Sequence, residues 1–282
     1  MKIDFLTLWV DDQRHFIEAL AMDLEDWLDD QGFKLEVLIH TNANGVITDI
    51  RSREVELIII DYRLGGQTGD TLIEDIRQND CFQDIIFYSE GQLPDRRFDG
   101  VHYVSKEDAK TRIKELIKLK LKRSSDLATL RGWIVADAIE LEHMLDEILL
   151  QCFSPQNSLF ETQLLARGIL DFNKKQIIVN SILSNELQRL NEAKDTSERH
   201  QQLKKCKEVL KSFEVEVIHY RNAVAHGKVD VAPNGSKRVK TLVKKPEFFD
   251  FDEISLAQGR KNIRKQRDNL VVLHELMFVP RE

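Results

Sequence analysis

The sequence predicts two domains of different class: an α/β doubly wound parallel five-stranded sheet over residues 1–122, then an all-α helical bundle over residues 127–282. Up to residue 122, short runs that are apolar on both faces alternate with amphipathic stretches, as in a parallel sheet covered by helices on both sides. Beyond it strand signals nearly vanish, and apolar residues recur at helical spacing. The polar stretch "KLKRSSDLA" separates the two, with the boundary near residues 122–126.

In the first domain "FLTLWV" reads as a buried strand and residues 14–30 as an amphipathic helix. "KLEVLIH" is a second strand and "ELIII" a third, continuously apolar one. "TLIEDIRQ" is helical, "DIIFYS" and "GVHYVS" are strands four and five, and "DAKTRIKELIKLKLK" is a closing helix. In the second, residues 127–153 form a long helix that Ser154-Pro155 ends. Further helices fit residues 158–170, 173–193, 199–227 and 255–278, and Pro233-Asn234-Gly235 marks a turn at the tip of a loop or small hairpin.

Composition narrows the function. A length of 282 residues suits two domains. No apolar run approaches the ~20 residues that span a bilayer, and acid follows the N-terminal apolar residues too early for a signal peptide, so no membrane association and a cytoplasmic location are expected. Cys81, Cys152 and Cys206 are too scattered for a disulfide framework or a zinc knuckle. A net charge of −7 argues against constitutive duplex-DNA binding. "GRKNIRKQR", residues 259–267, reads as a solvated basic face with some prospect of touching phosphate.

Ligands of such sheets sit at the carboxyl ends of the strands. Strand one ends in Asp11-Asp12, strand three in Asp61, strand four in Ser89 and strand five in Lys106. Three carboxylates converging there repel one another and invite a hard divalent cation with oxygen ligands. Magnesium beside Asp61 would make that carboxylate a phosphoryl acceptor, with Lys106 and the Ser89 hydroxyl receiving the phosphoryl oxygens.

Over residues 3–120 these features resemble the receiver domain of two-component response regulators. The resemblance implies that Asp61, in "IIIDYRLGGQTGDTLIEDIR", is phosphorylated by a histidine kinase or another phosphodonor. It further implies that Asp11 and Asp12 hold Mg2+ with Asp61 and the Arg63 carbonyl, and that Tyr103 is the aromatic switch. The usual proline after the third strand is replaced around Gly65-Gly66, and Glu107 follows Lys106 where proline is common. "EGQLPDRRFDGVH" is too short for a full fourth helix, which compromises the usual read-out face.

In "EVIHYRNAVAHGKV", residues 216–229, Leu210, Phe213, Val217, Tyr220 and Val224 make an apolar stripe on a helix. His219, Asn222 and His226 fall roughly opposite, off the core. Arg221 lies about 140° from His226 on an ideal helix, so it must reach around or the site must be completed by another chain. "RNAVAH" resembles the Arg–polar–x–x–x–His motif of HEPN domains, helical bundles found in many ribonuclease toxins and defence effectors, and the resemblance spans about residues 127–280. It implies a metal-independent endoribonuclease with Arg221, Asn222 and His226 catalytic, acting on RNA as a homodimer, in stress response or antiphage defence. RNA carries its own nucleophile, the 2′-OH, so a proton shuttle and charge stabilisation suffice. Lys228 stands where some HEPN toxins carry a modifiable tyrosine two residues after the histidine. The combined expectation is an endoribonuclease controlled by phosphorylation. The alternatives are a non-catalytic module binding RNA or protein, and a transcriptional regulator, disfavoured by the acidic balance and the lack of a helix–turn–helix signal.

Overall fold

A computed structural model describes residues 4–91, 97–123, 127–154, 157–231, 237–240, 248–250 and 253–278. The chain divides into two compact units, Lys2–Asp126 and Leu127–Glu282. The turn expected at Pro233-Asn234-Gly235 and the proline expected to stop the long helix lie outside the described residues.

The first unit runs β1 (Asp4–Val10), α1 (Arg14–Asp30), β2 (Lys34–His40), α2 (Val46–Ser52), β3 (Leu57–Asp61), α3 (Gly69–Gln78), β4 (Asp84–Ser89), β5 (Val101–Ser105) and α4 (Ala109–Arg123). The five strands form one sheet in the order β2-β1-β3-β4-β5, all pairs parallel. This is the flavodoxin-like doubly wound order, whose topological switch point lies between β1 and β3. Alternation along the strands builds two apolar layers. Trp9, Ile59, Ile86 and Tyr88 pack with Ile17, Leu24 and Ile113 on one face. Leu8, Ile58, Ile60 and Phe87 pack with Ile50, Leu72 and Ile76 on the other.

Two features of this unit differ from expectation or refine it. Helix α2 was not anticipated, because "VITDIRS" is short and β-branched; Gly45, with φ of 79°, precedes it, and Val46 and Ile50 bury its inner side. Of the described residues between β4 and β5, none is helical.

The second unit contains α5 (Leu127–Cys152), α6 (Asn157–Phe160) with a π turn at Glu161–Leu165, α7 (Phe172–Glu192) and α8 (Glu198–Leu210). A π segment at Glu214–His219 leads into α9 (Tyr220–His226), and α10 is Glu253–Phe278. The starts of α7 and α8 are capped by side chains: Asp171 accepts from the Lys174 N–H at 2.8 Å, and Ser197 from the His200 N–H at 3.3 Å. Leu145, Leu183, Leu210, Phe213 and Leu270 are among the buried residues of this bundle.

An all-α second domain needs correction. Strands β6 (Lys228–Val231), β7 (Lys237–Lys240) and β8 (Phe248–Asp250) make a small antiparallel sheet directly after α9. The strands are three or four residues long, and β6 and β7 carry three lysines and an arginine between them, so no long apolar run announced them. The helix expected over 158–170 ends at Leu165, with Gly168 in the left-handed region at φ of 63°. The expected 199–227 helix is interrupted by the π segment, a common device at functional sites.

The basic stretch 259–267 also departs from the solvated-face reading. Arg260 and Gln266 are buried, and Lys265 pairs with Glu216. Gln266 Nε2 donates to the Val209 carbonyl at 3.0 Å and to Glu216 Oε2 at 2.7 Å, tying α10 to the chain around the π segment. Among the described residues no helix is long and apolar enough to cross a membrane.

Candidate functional site

The carboxyl edge of the parallel sheet collects the acids the sequence placed there. Asp11 is fully buried, Asp61 is buried and Asp12 is exposed. Each offers a ligand oxygen, and the three lie within 4.8 Å of one another. The backbone fixes two of the carboxylates: Gln13 N–H donates to Asp11 Oδ1 at 2.7 Å, and Tyr62 N–H to Asp61 Oδ1 at 2.9 Å. Gly69 allows α3 to begin against the end of β3. A Cβ there would collide with the Asp61 carbonyl oxygen and come 2.6 Å from the Phe87 ring.

Lys106 reaches into this cluster. Its Nζ lies 3.4 Å from Asp11 Oδ2, 3.8 Å from Asp61 Oδ2 and 3.6 Å from Glu90, and donates to Gln13 Oε1 at 3.3 Å. Burial, reinforced by the charge of Asp11, pushes the Asp61 carboxyl up to about 6, while Lys106 and the Tyr62 N–H act in the opposite sense. Ser89 is buried, and its Oγ accepts from the Gly91 N–H at 3.1 Å. Tyr103 stacks edge-on against Phe87 at 5.7 Å, its hydroxyl oxygen accepts from the Phe98 N–H at 2.8 Å, and the Arg97 guanidinium sits 4.2 Å from its ring centre. Arg63 is exposed on the turn after β3, where its backbone bridges to Thr68.

The donor set suits a hard divalent cation, being three carboxylates with no nitrogen or sulfur ligand among them. Asp11, Asp12 and Asp61 are the residues that would hold Mg2+.

The second constellation lies on α9. Asn222 and His226 are exposed, Arg221 is half-buried, and His219 is exposed and 3.4 Å from Glu214. Arg221 Nη1 donates to Asn222 Oδ1 at 2.8 Å. Its Nε is buried and has no hydrogen-bond partner among the described residues. No hydrogen bond joins Arg221 to His226 among the described residues, in keeping with their angular separation on the helix. Arg131 on α5 donates to the Gly227 carbonyl at 2.6 Å, placing a cation at the C-terminal end of α9. Gly227 itself abuts Val239 of β7, so the small sheet is packed against the end of the motif helix.

No protein-family model matches the chain, and no curated protein is similar to it. Solved structures that resemble it include the receiver domain of the hybrid histidine kinase CckA, at 20% identity over 41% of this chain and 98% of that one, with a TM-score of 0.33. The receiver domain of the Francisella response regulator 1452 matches at 14% identity over 42% and 98%, with a TM-score of 0.36. The signal receiver domain of an HD-domain-containing protein from Pseudomonas fluorescens Pf-5 matches at 21% identity over 42% and 88%, with a TM-score of 0.35. These matches fall on the N-terminal part, about 40% of the chain.

The structure places Asp11, Asp12, Asp61 and Lys106 in one cluster, with Ser89 at the adjoining strand end. Sequence reasoning missed Tyr88, whose hydroxyl donates to Asp11 Oδ2 at 2.5 Å. Within "DIIFYS" a tyrosine looks like one more core aromatic. The only signal was that a buried phenol needs a hydrogen-bond partner.

Proposed function

We propose that the first unit accepts a phosphoryl group on Asp61. The observation that carries this is the position of Asp61 Oδ2 at 3.8 Å from Lys106, inside a cluster of three carboxylates at the carboxyl edge of a doubly wound sheet. An Asp61 oxygen attacks the phosphorus of the donor. The acyl–phosphate bond forms as the donor's P–O or P–N bond breaks, and the leaving group departs with the bonding pair. Lys106 moves from its carboxylate partners to the incoming phosphoryl oxygens, and the Ser89 hydroxyl donates to another. Mg2+ held by Asp11, Asp12 and Asp61, with the Arg63 carbonyl, would supply neutralisation of the phosphoryl charge.

The second unit we read as a metal-independent endoribonuclease of HEPN type, working as a homodimer. Its support is the exposure of Asn222 and His226 on one face of α9, beside Arg221. The RNA 2′-OH attacks the adjacent phosphorus and the 5′-oxygen leaves, giving a 2′,3′-cyclic phosphate and a 5′-hydroxyl. His226 transfers the proton, and Arg221 donates to the phosphorane oxygens. The separation of Arg221 from His226 favours a site in which each comes from a different protomer. A non-catalytic binding module remains the second reading, because no described group orients the His226 ring.

Two assays test these roles. Acetyl phosphate should label the wild-type chain and leave Asp61→Ala unlabelled. RNA cleavage should fall about 10²–10⁴-fold in His226→Ala and about 10²–10³-fold in Arg221→Ala. Label retained by Asp61→Ala, or full cleavage by His226→Ala, refutes the corresponding role.

A further inference from the structure

Tyr88 is fully buried, on β4 one residue before Ser89, and phosphoryl transfer as described above does not use it. Its ring lies in the apolar layer between sheet and helix, in edge contact with Phe16 at 5.7 Å. A phenylalanine would fill that space as well, so the hydroxyl is what requires explanation. That hydroxyl donates to Asp11 Oδ2, while Asp11 Oδ1 takes the Gln13 N–H at 2.7 Å. The two donors fix the rotamer of the one fully buried carboxylate in the cluster, using one position on each oxygen and leaving acceptor capacity on both. The ring of Tyr88 also faces Lys106, whose Nζ is 5.5 Å from its centre and 4.5 Å from that of Phe16.

We propose that Tyr88 is a positioning residue for a divalent cation: its hydroxyl orients Asp11 as a ligand, while its ring helps hold Lys106 beside the site. The inference rests on the reading of Asp11, Asp12 and Asp61 as a Mg2+ site. A carboxylate ligand left free to rotate must be ordered when the cation binds, and groups that hydrogen-bond to ligands typically contribute 10–100-fold to metal affinity. Tyr88→Phe removes the hydroxyl and keeps the ring, so it separates orientation of Asp11 from support of Lys106.

The test titrates the full-length protein with Mg2+ by calorimetry, in wild type and Tyr88→Phe. Ring-carbon NMR of the tyrosines runs in parallel, with the Tyr88 resonance assigned by its absence in the variant. Tyr88→Phe should bind Mg2+ about 10–100-fold more weakly. The Tyr88 Cζ resonance of the wild type should move during the titration with the calorimetric midpoint, a response that a purely structural tyrosine would not give. Equal or tighter binding by Tyr88→Phe overturns the proposal and leaves the metal site standing, and so does a Tyr88 resonance indifferent to saturating Mg2+. A wild type that binds no Mg2+ overturns the metal site and this proposal together.

Discussion

Asp61 illustrates how one buried charge carries a measurable cost. Its carboxyl titrates near 6 in the fold against 3.8 ordinarily, with burial the largest cause and Asp11 the next. The folded state therefore holds this proton more tightly than the unfolded chain. The stability contributed by the group is fully present below about pH 4 and is lost as pH rises through 6. In metal-free protein, Asp61→Asn should be more stable than wild type at pH 7.5 by on the order of 1–2 kcal/mol, discounted for the open side of the pocket. The gain should vanish near pH 4, where the wild-type group is already neutral. Thermal unfolding in EDTA at the two pH values checks this, and a variant less stable than wild type at pH 7.5 contradicts it. At this scale the strand-end acids and Lys106 were legible because parallel strands bring their carboxyl ends together. Tyr88 was not, since its partner lies 77 positions away and only the sheet register makes them meet.

Among the elements, α5 and α7 are joined by a polar clamp inside an apolar interface. Lys175 Nζ donates to Glu142 Oε1 at 2.8 Å and Asp146 Oδ2 at 2.9 Å, two carboxylates one turn apart on α5. Burial disfavours the ammonium, but the hydrogen bonds to Glu142 and Asp146 and the charges of these two carboxylates together outweigh it, and the Lys175 pKa is raised. Lys175→Ala would leave two like charges facing each other. Since the carboxylates keep 24% and 20% exposure, the loss should be about 2–3 kcal/mol, below the 3–5 of a fully buried pair. Urea denaturation reads this directly, and a change under 0.5 kcal/mol, on the order of a surface substitution, would contradict it. Helical periodicity announced both helices. It could not announce the π segment at Glu214–His219, where every residue is compatible with an ordinary helix and Glu216 is hydrogen-bonded from α10. Gln266 and Lys265 hold that region from a distance of some fifty residues along the chain. Of the β6–β8 sheet, only the turn residues Pro233-Asn234-Gly235 between its first two strands gave a signal. Its short charged strands are stabilised by contact, as where Val239 packs on Gly227, rather than by their own pattern.

For the whole molecule, the proposed functions of the two units make sense together if phosphorylation of the first alters cleavage by the second. Each unit has its own core, so the coupling would pass through their arrangement or through dimerisation. The chain should be dimeric mainly through residues 127–282, and light scattering on the isolated units distinguishes this from dimerisation through residues 1–122. Coupling between sites is typically 1–3 kcal/mol, a change of about 5–150-fold. The most direct measurement is the rate of RNA cleavage by the full-length protein with and without acetyl phosphate and Mg2+, in wild type, Asp61→Asn and His226→Ala. Acetyl phosphate should change the wild-type rate by about 5-fold or more and leave Asp61→Asn unaffected, with His226→Ala inactive throughout and RNA blocked at the 2′-hydroxyl uncut. Cleavage undiminished in His226→Ala, or a wild-type rate indifferent to acetyl phosphate under conditions where Asp61 is labelled, would contradict a phosphorylation-controlled ribonuclease.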